Sequence, residues 1–187
     1  STHTPFSLPI PNILCQTSPM RKLTATLCLM IAVLFGCTGV CKSADFQRDY
    51  DAAGKGLTAY STGDYATALR EFQPLAEQGN TAAQAMMGEM FDSGKGVKQD
   101  YVQATRWYRK AANQGHAKAQ YNLGGMYDSG QGVSQDYELA VHWFLKAAQK
   151  GVWQAYFNLG NMYFEGKGVR KNYRISFQFF KSAAETG

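Results

Sequence analysis

The sequence predicts an all-α protein, a solenoid of stacked antiparallel helix pairs. Three observations predict it. Glycines stand at 79, 115, 151 and 187, each 36 residues from the last with no insertion, and a fixed period of that size marks a repeat array. Within each interval the apolar residues fall twice at helical spacing, with a glycine-rich break between the two runs. A single interval cannot enclose its own apolar face, so the copies must stack to make a core.

Residues 1–19 are proline-rich and show no helical or strand period. They read as unstructured, or as lying upstream of the true start. From Met20 a better pattern opens. Arg21 and Lys22 form a basic start, Leu23 to Phe35 form an apolar run, and small residues follow. Residues 20–44 therefore read as a secretory signal peptide. The apolar run is short for a membrane span, which needs roughly 20 residues. Two exits are open. Leu34-Phe35-Gly36-Cys37 resembles a bacterial lipobox, with Cys37 the lipidated residue and Phe35 a poor fit. Ordinary cleavage near Cys41, Ser43 or Ala44 is the rival.

Residues 45–79 form a divergent first unit. Asp64-Tyr65 stands 36 residues before Asp100-Tyr101, and Ala68 matches Ala104. The linker before Asp64 is short, making this unit five residues shorter than the others and closer to a plain tetratricopeptide repeat. Its first helix is expected from about Phe46 to Tyr60, weakened by Gly54 and Gly56. Pro74 is expected to kink or divide the second helix.

The full copies are 80–115, 116–151 and 152–187. In the first, Ala83, Met87, Gly88 and Phe91 share one face of a helix, called A. Gly94 and Gly96 end it, supplying positive φ without a Cβ clash. Ala104, Trp107, Tyr108, Ala111 and Ala112 then share a face of helix B. Asp100 fits its N-cap, as do Asp64, Asp136 and Asn172 in the other units. Gly115 fits the position after its C-cap. Gly88, Gly124 and Gly160 lie inside helix A, where Gly costs about 1 kcal/mol against Ala. Repeated at one slot, that cost implies a close approach, and Trp107, Trp143 and Phe179 are the expected large neighbours. The paired alanines 111–112, 147–148 and 183–184 let the following helix come near.

These residues resemble the Sel1-like repeat, a relative of the tetratricopeptide repeat. The resemblance is clearest at Ala119, Leu123, Gly124, Met126, Tyr127, Gly130, Gly132, Val133, Asp136, Tyr137, Ala140, Trp143, Lys146, Ala147, Ala148 and Gly151. It covers residues 79–187 and implies a right-handed α-α superhelix. A cysteine-rich branch of such proteins, with β-lactam-directed activity attributed to it, carries a cysteine pair in each repeat. Here Cys15, Cys28, Cys37 and Cys41 all precede the repeats, so that activity is not carried over.

The net charge of +5 shrinks once residues 1–44 are removed, leaving 16 of the 19 basic groups against all 14 acidic ones. A near-neutral chain without a clustered basic stripe argues against nucleic acid. Lys167, Arg170, Lys171 and Arg174 surround one loop and read as a solvated surface. His3, His116 and His142 form no metal-binding spacing, and the Gly-Lys-Gly turns lack the phosphate-loop pattern. No catalytic residue, cofactor site or metal site is expected.

By analogy with tetratricopeptide arrays, the inner wall is formed by helix A positions not used in packing. One row is Ala85, Tyr121 and Phe157. Another is Glu89, Gly125 and Asn161, and a third is Asp92, Asp128 and Phe164. Asn122 and Asn158, in the row that starts at Met86, offer amides to a peptide backbone. These positions differ between copies while the packing positions stay alike. The resemblance implies a non-enzymatic scaffold or adaptor of the bacterial cell envelope. It would be periplasmic, secreted or lipid-anchored, and would bind a protein or peptide partner on that wall. Membrane contact would come only through an N-terminal lipid or an uncleaved signal. Two alternatives stay open: a hydrolase acting on β-lactams or peptidoglycan precursors, and a self-assembling module. The latter would join through the C-terminal end, where Phe177, Phe179 and Phe180 are expected to be exposed.

Overall fold

The computed structural model describes residues 51 and 53–187. The expected signal peptide, the lipobox at Cys37 and the start of the first helix near Phe46 lie outside them. Among the described residues there are eight helices and no strand. They are α1 (53–61), α2 (Tyr65–Glu77), α3 (Thr81–Ser93), α4 (Tyr101–Asn113), α5 (Ala117–Ser129), α6 (Tyr137–Ala148), α7 (Trp153–Glu165) and α8 (Tyr173–Thr186). Odd-numbered helices are the A helices and even-numbered ones the B helices. Each helix packs on its neighbours in sequence, and of the pairs that skip a neighbour, α3 and α5 make the most substantial contact. Successive units meet mainly where each B helix packs on the next A helix.

The caps are local and follow the sequence. Asp64, Asp100, Asp136 and Asn172 each accept from the backbone N–H three residues on, at 2.9–3.1 Å. These bonds satisfy one of the donors that a helix start leaves free. Gly115 takes φ +87° after helix α4, and the His116 N–H then reaches back to the Ala111 carbonyl at 3.0 Å. That is the glycine-closed helix end the sequence predicts.

The A-helix starts are less uniform. Asn80 caps α3, with Oδ1 accepting from the Ala83 N–H at 3.0 Å, and His116 caps α5 through Nδ1 at 3.2 Å. Val152 stands in the same slot of α7 and offers no side-chain acceptor. Val152→Asn is expected to stabilise the fold by about 1 kcal/mol. Thermal unfolding followed by circular dichroism checks this, as a raised Tm.

The close approach at the helix A glycines is real, but its partner is one residue further on than expected. A methyl built at Gly88 would lie 2.5 Å from Tyr108 Cδ1, one at Gly124 2.7 Å from Phe144 Cδ1, and one at Gly160 2.6 Å from Phe180 Cε1. Trp107, Trp143 and Phe179 instead turn toward the core cluster shared with the preceding B helix. Adjacent residues on a helix point about 100° apart, so only one of each aromatic pair faces its own A helix.

The first unit obeys the same rule. A methyl at Gly56 would lie 2.7 Å from Phe72 Cε1. Gly56 precedes Gly88 by 32 residues, while Phe72 precedes Tyr108 by 36, so this unit is four residues shorter rather than five. Gly56 is therefore a packing glycine and not merely a weak point. Pro74 sits inside α2 without dividing it.

Three apolar clusters follow one another along the stack. Each is built where a B helix meets the next A helix, with Ala111, Ala112, Ala119 and Leu123 in one and Ala147, Ala148, Ala155 and Leu159 in another. Alanine on the B side lets the helices close up, and Leu from the A side fills the seam. Buried glutamines add a polar latch. Gln84 Nε2 donates to the Ala76 carbonyl at 3.0 Å, and Gln120 Nε2 to the Ala112 carbonyl at 3.1 Å. Each is a second bond to a carbonyl that already accepts from a glycine N–H at the helix end, Gly79 at 3.1 Å and Gly115 at 2.9 Å.

Candidate inner-wall binding surface

The A helices present the predicted rows side by side, but not all of them are available. Ala85 is only 8% exposed, sunk into the cluster it shares with α4 and α5, so it offers a partner little surface of its own. Tyr121 is half-buried, its ring 5.8 Å from Phe144. Glu89, Asp92, Asn122, Gly125, Asp128, Asn158 and Asn161 are half-exposed, and Phe157 and Phe164 are exposed.

Two hollows mark this surface. One, of about 260 Å³, has a buried floor of Ala85, Tyr108 and Ala119, with Leu57, Met86, Glu89, Lys118 and Asn122 around it. The other, of about 150 Å³, is bounded by Asp128, Asn158, Asn161, Glu165 and Lys167. Each joins residues of successive A helices, so it exists only because the units stack.

Polar bridges cross the first hollow. Lys118 Nζ lies 2.6 Å from Glu89 Oε2. The Tyr60 hydroxyl donates to Glu89 Oε1 at 2.9 Å, and Lys95 Nζ donates to that hydroxyl at 3.0 Å. These residues come from three units, 29–35 positions apart. Partial burial alone would push the Glu89 carboxyl up, but the bonds from Lys118 and Tyr60 outweigh it and hold it below the usual range. The pair is half in water, so it contributes at most about 1 kcal/mol. Its main effect is to set the spacing of the wall.

Asp92 behaves oppositely. Burial raises its carboxyl above the ordinary value, the Tyr108 hydroxyl at 3.3 Å pulls the other way, and Glu89 adds to the rise. A raised acid binds its proton more tightly folded than unfolded. Its ionisation therefore weakens the fold as pH climbs through that range, and the penalty is absent below the unfolded value. Asp92→Asn is expected to raise Tm slightly at neutral pH and to lose that gain at low pH. Paired melts of the two proteins across pH give the check. A charge kept where it costs stability is a functional candidate.

Sequence reasoning missed Tyr60, Lys95 and Lys118, which carry no local signal because their partners lie a full unit away. It also missed the glutamine latch. There a signal existed: a polar residue at the same slot of an otherwise apolar face in two copies.

With this geometry the chain can be set against known proteins. The Sel1 repeat profile matches residues 81–116, 117–152 and 153–187. The chain belongs to the Sel1 repeat family. Its fold is similar to a Sel1 repeat protein from Oxalobacter formigenes, at 39% identity and a TM-score of 0.68, over 72% of this chain and 56% of that one. It is similar too to a protective antigen of uropathogenic Escherichia coli with an SLR fold, at 38% identity and a TM-score of 0.72, over 78% of this chain and 32% of that one. The chain thus spans just over half of one relative and about a third of the other. Helicobacter pylori cysteine rich protein B, at 21% identity and a TM-score of 0.53, shares the fold alone. No curated protein sequence matches the chain. Sel1 repeats, like the tetratricopeptide-like arrays they belong with, generally mediate protein–protein interaction.

Proposed function

We propose that this Sel1 repeat chain is a non-enzymatic scaffold of the bacterial cell envelope that binds a partner protein on its A-helix wall. The observation that carries this reading is the contrast between slots. Positions that pack, such as Gly88, Gly124 and Gly160, repeat. Positions that face out from the A helices, such as Glu89, Gly125 and Asn161, do not. A surface that varies on a constant frame is suited to recognising one asymmetric partner. The envelope location draws support from the signal-like layout of residues 20–44, with free periplasmic, secreted and Cys37-lipidated forms as its variants. Mass spectrometry of the mature N-terminus separates these.

Replacing Tyr121 and Phe157 together by Ser is expected to leave the helical circular dichroism in place and to abolish capture of the partner from native envelope extracts. Capture that survives the double change would remove this wall from the account. For the hydrolase alternative, the expected turnover of a chromogenic β-lactam by purified protein is nil.

One observation favours self-association as a second reading. An apolar groove of about 660 Å³ runs along the last helix pair, lined by Trp153, Phe157, Phe180, Ala183 and Ala184. Phe177 is 69% exposed there, while Phe179 and Phe180 are half-buried rather than bare, packed on Tyr163 and Phe157. A strictly monomeric mass by light scattering at high concentration would remove this reading.

A further inference from the structure

The fourth helix pair carries rings where the other units do not. Along α7, Trp153, Phe157 and Phe164 occupy the slots that hold Thr81, Ala85 and Asp92 in one unit and Ala117, Tyr121 and Asp128 in the next. Along α8, Tyr173, Phe177, Phe180 and Ala184 fall at i, i+4, i+7 and i+11, one stripe of a helix. The two stripes join into a single face. Phe164 meets Tyr173 with ring centroids 5.3 Å apart, Phe157 meets Phe180 at 5.5 Å, and Trp153 borders the groove with Ala184 and Gly187.

The face is large. Trp153, Phe157, Phe164, Tyr173 and Phe177 are 44–69% exposed. At about 150–250 Å² for a large aromatic side chain, about 500 Å² of ring surface stays in water. A stable interface takes about 800 Å² from each partner, so these five rings alone supply more than half of it.

Two occupants do not fit. The slot of Phe177 holds Thr105 and Val141 in the preceding B helices, both buried at the junction with the next unit, and Thr105 Oγ1 lies 3.4 Å from the Gln131 carbonyl there. A ring in that slot overfills such a junction, which argues against a further repeat. The chain's own first helix is excluded by charge. Lys55 and Thr58 on α1, in register through Gly56, stand exposed where Met87 and Met90 pack in α3. Stacking head to tail would bury that lysine.

The face fits itself. Its most exposed rings, Tyr173 and Phe177, stand at the start of α8, and the hollow over Ala183 and Ala184 lies at the end. Two copies of α8 laid antiparallel about an axis near Phe180 place each Phe177 over the alanines of the other. The charged flank agrees with this register. Arg174, Gln178, Lys181 and Glu185 form an exposed row beside the stripe. Arg174 then faces Glu185 of the second copy, and Gln178 faces Lys181, so no like charges are opposed along this row. Lys171, its Nζ 5.6 Å from the Tyr173 ring, comes to the same end of the partner, and Lys167 is already paired with Glu165 at 2.7 Å. The Lys181–Glu185 pair is long, at 3.7 Å, and mostly in water, so Glu185 can take a second cation.

We propose that this face pairs with the same face of a second copy, forming a closed two-fold dimer in which the two α8 helices run antiparallel. This rests on the self-association reading and narrows it, because an isologous contact uses up its own surface and stops at two.

The test is light scattering on the full chain over a range of concentrations. The expected mass is twice that of the chain, with no larger species. Phe177→Glu should weaken the dimer at least about 100-fold, since each contact occurs twice across the axis. Arg174→Glu and Glu185→Arg should each weaken it about tenfold, and the two together should restore it to within about threefold. All four variants should keep their helical circular dichroism, because the changed residues are exposed. Association through the apolar run of residues 23–35 would ignore every one of these changes. A dimer indifferent to Phe177→Glu, a charge swap that fails to rescue, or species growing past two overturns this pairing and leaves self-association by another route. A monomer at every concentration overturns both, and leaves the face to a foreign apolar partner.

Discussion

Phe144→Ala is expected to cost the fold about 3–5 kcal/mol, the range for removing a buried aromatic ring. Phe144 is 1% exposed and fills the seam between α5, α6 and α7. Its ring lies against Gly124 and 5.8 Å from the Tyr121 ring, both on α5. Its removal opens a void that the surrounding helix backbones cannot close, because helix spacing is set by the unaltered alanine contacts. Tyr121 would also lose its support, so the change should loosen the wall as well as the core. The matching change Phe180→Ala should cost less, since that ring is half-buried. Urea unfolding of the three proteins measures the order. Gly124→Ala is expected to be harmful alone and much better tolerated beside Phe144→Ala, a coupling that a double-mutant cycle reports. Additive effects would mean that ring and glycine do not constrain each other.

Gly132→Ala is expected to cost about 3 kcal/mol, the left-handed backbone contributing about 1–2 and overpacking the rest. Gly132 holds φ +70°, and a methyl there would run into the Tyr101 carbonyl group. The obstacle is main chain at the start of α4, which cannot rotate aside as a side chain does. The loop after each A helix thus rests on the first turn of the B helix one unit back. Gly168 makes the same contact on Tyr137. Gly115 is the control. Its φ is +87°, yet a methyl there would meet nothing nearer than the flexible Lys150 amine at 3.5 Å. Gly115→Ala should therefore cost only about 1 kcal/mol, the backbone contribution alone. If the two changes destabilise equally in urea, the loops do not lean on the preceding unit.

Why some of this was legible in the sequence and some not comes down to range. Caps such as Asp100 and closures such as Gly115 depend on residues within one turn, so their spelling suffices. The glycine of helix A announced a close approach, but the expected partner Trp107 was wrong by one residue, because only the helix orientation decides that Tyr108 faces Gly88. Gly56 was hidden because the shortened loop of the first unit broke its register with Gly88. The burial of Ala85 depends on how far Tyr108 reaches across the seam, which spacing cannot state. The bridge from Tyr60 through Glu89 to Lys118 joins three units and has no local trace. The inner wall was legible as a contrast between constant and variable slots, while its charge pattern required knowing which lysines are already paired.

Site-specific photocrosslinking in cells tests the central claim most directly. A photoreactive residue at Asn158, on the A-helix wall, is expected to trap a partner protein in a discrete adduct. The same probe at Leu139, exposed on helix α6 of the B side, is expected to trap none. An adduct from Leu139 with none from Asn158 would contradict the account.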